Sequence, residues 1–113
     1  MKTTSLITIE LPSGASVQIA QHRLGQNEGS RVAFVAGIRG DAPEGVRLAH
    51  RLIRFLEKHE ERLLGQIDIY PCVNPLAVEQ GVRTWPFFDV DLNRQFPGRE
   101  DGHPPAQVAH ALV

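Results

Sequence analysis

VAFVAG at residues 32–37 and QIDIYPCV at residues 66–73 are the two stretches that decide the fold of this chain. The first is a continuous apolar run bounded by turn-forming residues, the pattern typical of a strand buried on both faces of a sheet, and the second is a candidate parallel strand. Between them, residues 43–64 place apolar side chains at spacings of three and four and charged side chains on the opposite side, which predicts an amphipathic helix. Strand, helix and strand in this order predict a right-handed crossover between two parallel neighbours.

The ends of the predicted helix carry their own signals. Asp41, followed three residues later by Glu44, fits a capping box at the start of the helix, and Gly65 fits a cap at its far end. We expect the helix to pack on one face of the sheet through four apolar side chains. These are Val46, Ala49, Ile53 and Leu56.

The segments outside this unit complete the predicted fold. Residues 5–11 alternate apolar and polar side chains, and the alternation resumes at residues 17–19 after a Pro-Ser-Gly turn, which predicts an antiparallel hairpin. Residues 75–103 are rich in Pro, Gly and Asp and are expected to form a long loop, of a kind that is usually functional. A final helix is predicted to begin at Pro104-Pro105. The predicted fold class is α/β, with a mostly parallel sheet and an N-terminal antiparallel hairpin.

Composition excludes several classes of function. The chain has 113 residues, 42% of them apolar, and its 12 basic and 13 acidic residues give a net charge of −1, so nothing indicates a nucleic-acid partner. No apolar run approaches the ~20 residues of a membrane span, and neither a membrane segment nor a signal peptide is expected. The single cysteine, Cys72, permits no internal disulfide. We therefore expect one cytoplasmic domain over residues 1–113.

Both predicted parallel strands end at the sheet edge where ligands bind in open α/β sheets, and a motif follows the second of them. Asn74-Pro75-Leu76-Ala77 follows the second strand, and Gly81-Val82-Arg83 and DVDLNRQFPG at residues 89–98 come next. This combination resembles the succinylglutamate desuccinylase/aspartoacylase family of zinc-carboxypeptidase-like enzymes over roughly residues 31–110. The resemblance implies the N-terminal half of the zinc-carboxypeptidase-like (phosphorylase/hydrolase-like) fold and, as activity, deacylation by a metal-dependent amide hydrolase.

The motif residues indicate a site for a carboxylate. Arg94 has a planar guanidinium that can bind a carboxylate through two hydrogen bonds, and Asn93 can donate and accept beside it. The resemblance implies that these two residues bind the carboxylate of the substrate and that Arg83 matches an upstream arginine that polarises the scissile carbonyl. The alternative is that Arg94 pairs with Asp89 or Asp91 and only holds the loop in place.

The loop after the first apolar strand departs from the family pattern. The resemblance implies two zinc ligands here, a His and a Glu three residues later, but Arg39 and Ala42 stand in their places. Arginine has no lone pair to offer and alanine has no donor, whereas a catalytic zinc needs three protein ligands and a water molecule. The family's third ligand and its general-base Glu would lie beyond residue 113. We therefore assign no metal ligand, no cofactor and no catalytic residue.

No other residues replace the missing ligands. The helix cap accounts for Asp41 and Glu44, and Cys72 is interpreted as a small buried side chain in a core strand. The histidines are expected on the surface, on the flanks of helices or at a strand edge, and not in a metal site. They are His22, His50, His59, His103 and His110.

Three hypotheses follow for function. The first is a non-catalytic member of the family that keeps an anion pocket for a small carboxylate-bearing molecule. The second is an N-acyl amino acid deacylase or carboxypeptidase-type hydrolase that is active only with a missing C-terminal half or a partner chain, and the third is a structural or interaction module. In each case we expect self-association or a partner chain at the open edge of the sheet. The pocket of the first hypothesis consists of Arg39, Arg83, Asn93 and Arg94.

Overall fold

Four strands form one mixed sheet in the computed structural model, which describes residues 1–113. They are β1 (Lys2–Glu10), β2 (Ser16–Gly25), β3 (Arg31–Val35) and β4 (Gln66–Tyr70), arranged in the order β1-β2-β4-β3. β3 and β4 are parallel, with Val32 opposite Ile67 and Phe34 opposite Ile69. The predicted parallel pairing of these two strands and the predicted N-terminal hairpin are both confirmed. The prediction that β3 is buried on both faces is wrong, because β3 is an edge strand and its first three residues are exposed.

The prediction of a mostly parallel sheet is wrong for this chain, because only the β3–β4 pairing is parallel. β2 is long enough to pair with two neighbouring strands. It pairs with β1 along most of its length, and its last residues, His22–Gly25, pair antiparallel with β4. The hairpin is therefore built into the sheet beside β4, and two of the pairings become antiparallel.

The long helix, α1 (Glu44–Lys58), is shorter than predicted, and a separate 3-10 turn, Glu60–Arg62, follows it. The predicted caps are wrong. Pro43 is the N-cap and has no polar side chain that could make a capping bond, and the Asp41 carboxylate accepts hydrogen bonds from Arg39 instead. The helix ends well before Gly65, which instead lies so close to the backbone of Ser30 that a side chain would not fit.

Helices cover both faces of the sheet. On one face α1 buries Ala49 and Ile53 against Leu24, Ala36 and Ile69. The other two residues predicted to pack here, Val46 and Leu56, are half-buried. On the opposite face α3 (Pro104–Leu112), which begins where predicted, buries Val108 and Ala109 in a larger core. The strand residues of that core are Ile9, Ile19 and Tyr70.

The stretch predicted as a long loop contains two short elements, α2 (Pro75–Gln80) and a 3-10 turn at Leu92–Arg94. None of the helices in the structure combines the length and the apolar character that crossing a membrane requires.

Candidate functional site

The loops that follow β3 and β4 meet at one edge of the sheet, because parallel strands end on the same side. Asn74, after β4, is fully buried and donates a hydrogen bond through Nδ2 to the backbone carbonyl of Ile38, after β3, at 3.2 Å. Gly40 lies against the backbone of Ala77 in α2, and a Cβ atom at this position would overlap it. These contacts fix the position of Arg39 between the two loops.

Arg39 binds Asp41 through two hydrogen bonds. Nε lies 3.0 Å from Oδ1 and Nη2 lies 2.7 Å from Oδ2. The hydrogen bond from Arg39 lowers the pKa of Asp41, and both side chains remain accessible, with 47% and 37% of their surface exposed. The Arg39 guanidinium therefore lies at the sheet edge, and the neighbouring Asp41 carboxylate balances its charge.

The segment from Gly81 to Gly98 is held in place by two buried side chains. Trp85 is 1% exposed and Leu92 is fully buried, and both belong to the core on the α3 face of the sheet. The backbone of Trp85 also pairs with Val90, with Trp85 N donating to Val90 O at 2.8 Å. This anchor is absent from the predictions above, although the lone tryptophan in this segment is a sequence signal for it.

Asp91 is the centre of the polar contacts in this segment. Its Oδ2 accepts hydrogen bonds from Nη2 and Nε of Arg83 at 3.0 and 3.3 Å, and the same oxygen lies 3.9 Å from Nε of Arg94. Its Oδ1 accepts from the backbone N–H of Asn93 at 3.0 Å. Burial raises the pKa of Asp91, but the hydrogen bonds from Arg83 and Asn93 and the nearby arginines outweigh it, so the pKa lies below its usual range.

The four predicted site residues fall into two neighbouring groups. Arg39 and Asn93 line a cavity of about 510 Å³ at the sheet edge, whereas Arg83 donates hydrogen bonds to Asp91 and Arg94 lies 3.9 Å from it. The groups are close enough for the charge of Asp91 to act on Arg39. The contact between Arg94 and Asp91 agrees with the alternative that Arg94 holds the loop, while the other candidate partner, Asp89, accepts instead from Thr84 Oγ1 at 3.2 Å. Ligand-binding roles for these four residues stay predictions.

The residues present do not fit a zinc ion. Arg39 and Ala42, at the positions of the two expected ligands, both line the cavity, and neither offers a lone pair to a metal. No three side chains of the His, Cys, Asp and Glu types lie close enough together to hold a metal ion. Asp41, predicted to cap the long helix, instead forms an ion pair with Arg39.

None of the remaining candidate residues lines the cavity, although Cys72 packs against Gly37, which does. Cys72 follows β4 and is not part of the strand, and burial raises the pKa of its half-buried thiol. His22 lies in β2, where burial lowers its pKa, and His103 caps α3 by accepting a hydrogen bond from Ala106 N at its Nδ1 atom.

Comparisons with known proteins agree on one family. The family model described as the succinylglutamate desuccinylase/aspartoacylase catalytic domain matches residues 28–112. N-alpha-acetyl-L-2,4-diaminobutyric acid deacetylase from Halomonas elongata is 33% identical over 84 residues, which are 74% of this chain and 24% of that protein. This chain therefore spans about a quarter of the length of that curated relative.

Solved structures show the same relationship. An aspartoacylase family protein from Mesorhizobium loti is 31% identical and superposes with a TM-score of 0.83, over 98% of this chain and 35% of that one. The product-bound ectoine utilization protein from Ruegeria pomeroyi is 29% identical, with a TM-score of 0.77, over 92% of this chain and 32% of that one. This chain is thus similar to about a third of each of these structures.

Proposed function

The chain belongs to the succinylglutamate desuccinylase/aspartoacylase family, and we propose that it binds a small carboxylate-bearing molecule at the cavity lined by Arg39 and Asn93 without hydrolysing it by itself. The observation that carries this proposal is the arginine at the sheet edge where the family pattern has a zinc-binding histidine. A guanidinium offers hydrogen-bond donors at that position instead of a metal ligand, and Asp41 balances its charge.

The cavity has the size and lining of a ligand site. Its volume of about 510 Å³ lies within the roughly 300–1,000 Å³ that is usual for small-molecule pockets. Half of the lining residues are apolar, including Phe34, Val35 and Ile38, and only a few polar groups interrupt them. Such a wall can hold the aliphatic part of a ligand while the polar groups set its orientation.

Hydrogen-bond donors remain available for a carboxylate. Arg39 uses Nε and Nη2 for Asp41, and a guanidinium has five N–H groups, so other donors are free to reach the cavity. The side chain of Asn93 is exposed and binds no other residue, since only its backbone contacts Asp91. Arg83 and Arg94 add positive charge nearby, although Asp91 offsets part of it.

The side chains at the expected metal position argue against hydrolysis by this chain alone. Neither Arg39 nor Ala42 can ligate zinc, and without a metal the site lacks the activated water that the family chemistry uses. The alternative is a metal-dependent amide hydrolase assembled with a partner chain, which would have to supply all three ligands while displacing the ion pair of Arg39 with Asp41.

The proposal is tested by calorimetric titration with an N-acyl amino acid. N-alpha-acetyl-L-2,4-diaminobutyric acid is a suitable probe, because the Halomonas elongata relative is named for removing its acetyl group. We expect saturable binding that weakens when Arg39 is changed to Leu or Asn93 to Ala. Arg99→Leu is the matched control, because Arg99 also contacts an aspartate two residues later, Asp101, but lies outside the cavity.

Three outcomes would count against this function. Absence of binding would favour a purely structural module, and binding that neither Arg39→Leu nor Asn93→Ala weakens would place the ligand elsewhere. Release of acetate when zinc is added to the purified chain would favour the hydrolase.

A further inference from the structure

Four cations lie along the outer face of α1. They follow one another at spacings of four, three and four residues, which places them on one line about 16 Å long. The line is directed away from the sheet, because the buried residues of the helix, Ala49 and Ile53, lie on its other side and all four cations are exposed. We call these residues the basic stripe, and they are Arg47, Arg51, Arg54 and Lys58.

The basic stripe has no anionic partner within the chain. None of its members forms an ion pair, and Glu57, which lies beside Arg54 and Lys58, stays beyond ion-pair distance. Cations three and four residues apart on a helix repel one another and lower its stability. The stripe therefore adds no stability to the isolated chain, and a negatively charged surface outside the chain would relieve the repulsion.

Two large apolar side chains are exposed next to the basic stripe. Leu48 is 56% exposed and Phe55 is 59% exposed, although both belong to α1. They are seven residues apart, so they point in nearly the same direction, and Arg51 lies between them at spacings of three and four residues. The outer face of α1 thus presents cations and apolar groups side by side.

This combination favours an anionic lipid surface over other anionic partners. Headgroup phosphates attract the basic stripe, while the adjoining interfacial region of the bilayer can take up Leu48 and Phe55. The phosphates of duplex nucleic acid would attract the same cations but would leave the two apolar side chains in water. The net charge of −1 for the whole chain does not oppose this binding, because the attraction depends on the charges that lie near the surface.

We propose that the outer face of α1 binds the surface of a membrane that contains anionic phospholipid. The basic stripe lies against the headgroups, and Leu48 and Phe55 enter the interface beside it. Such binding is peripheral and needs no helix that crosses the membrane, and none of the helices is suited to crossing one. It is independent of ligand binding at the cavity, because none of these six residues lines the cavity.

Sedimentation with lipid vesicles tests the proposal. The purified chain should sediment with vesicles of mixed phosphatidylcholine and phosphatidylserine and stay in solution with vesicles of phosphatidylcholine alone, and added salt should weaken the binding. Changing one arginine of the basic stripe to Gln should weaken binding about fivefold, and Arg51→Gln together with Arg54→Gln should weaken it about 25-fold, since each cation near an anionic surface contributes separately.

Two further variants separate the apolar contribution from general attraction of cations. Phe55→Ser should mainly remove the binding that persists at high salt, because salt screens the charges and not the apolar contact. Arg99→Gln is the matched control and should bind as the unmodified chain does. Arg99 is 75% exposed, but its backbone bonds to Ala106 in α3, on the opposite face of the sheet from α1. Circular dichroism checks that each variant is folded.

Three results would overturn the proposal. The first is equal sedimentation with the two kinds of vesicle, or sedimentation with neither. The second is unchanged binding when Arg51 and Arg54 are both Gln, which would place the lipid contact elsewhere. The third is tighter binding to a duplex DNA oligonucleotide than to the mixed vesicles, which would assign the basic stripe to nucleic acid.

Discussion

Asn74 and Ile38 join the two loops of the site, with Asn74 Nδ2 donating to the Ile38 carbonyl at 3.2 Å. The asparagine is fully buried, and its Oδ1 atom has no hydrogen-bond partner. This side-chain amide connects the loop after β3 to the start of α2, alongside the backbone hydrogen bond from Val73 N to Ala36 O at 3.0 Å and the close approach of Gly40 to Ala77.

Asn74→Ala should destabilise the protein by about 1–3 kcal/mol, because it leaves the carbonyl of the half-buried Ile38 without its donor and removes a fully buried side chain. Chemical denaturation measures this loss, and Asn27→Ala, in the exposed turn before β3, is the control that should be nearly neutral. Wild-type stability for Asn74→Ala would mean that the loops are held together by other contacts.

Zinc binding should remain weak even when the family residues are restored. Arg39→His combined with Ala42→Glu supplies two donors where a catalytic zinc site needs three protein ligands, so we expect a low zinc content and no acetate release. Metal analysis of the purified double variant and of the unmodified chain measures this directly. Tight, stoichiometric zinc in the unmodified chain, lost on Arg39→Leu, would contradict the assignment of this site.

The segment around Asp91 should loosen in acid. Its pKa is lowered in the folded protein from an ordinary value of 3.8, so the stability it contributes is fully present above that value and is lost as the pH falls through the lower folded pKa. Trp85 is the only tryptophan and is buried in the same segment, so its fluorescence reports the change. Asp91→Asn should remove this pH dependence, and an unchanged acid transition in that variant would assign it to other carboxylates.

Substitutions along α1 should follow burial. Ile53 is 6% exposed, so Ile53→Ala should cost about 2–5 kcal/mol, whereas Leu56→Ala should cost less because Leu56 is only half-buried. Leu48→Ala is the control, since Leu48 is 56% exposed. Thermal or chemical unfolding ranks the three variants, and a greater loss for Leu48 than for Ile53 would contradict the packing of α1.

The open edge at β3 should allow a second copy of the chain to bind. Residues 32–35 of β3 carry no charge and no proline, and Val32 is 58% exposed, whereas the opposite edge strand, β1, has an irregularity between Ser5 and Ile7 and charged residues near both ends. Natural edge strands usually carry such protection, and β3 has only the exposed Arg31 at its first position. Antiparallel pairing of two β3 strands about Ala33 would bring no like charges together.

Sedimentation across a concentration series tests this self-association. We expect a weak dimer that Val32→Lys disrupts and that Thr4→Lys, on β1, leaves intact. A strictly monomeric chain at high concentration would show that this edge does not bind a second copy.

The sequence by itself determined the parts of this protein that depend on local pattern. Period-two alternation, the spacing of apolar residues in α1 and the apolar runs of β3 and β4 predicted the elements and the parallel crossover, because burial of one face imposes these periods wherever the element lies. The motif around Asn93 and Arg94 predicted the family, and the polar residues of the site were named before their positions were known.

Only the tertiary structure decided how these parts meet. Several contacts could have formed with other partners, and the local sequence does not distinguish between them. They are the position of β2 beside β4, the burial of Trp85, and the ion pairs of Arg39 with Asp41 and of Arg83 with Asp91. Asp41 shows the reason. The local sequence around Asp41 is compatible both with a helix cap and with a partner for Arg39. The loop geometry fixed by Asn74 and Gly40 brings the guanidinium of Arg39 within reach of the Asp41 carboxylate.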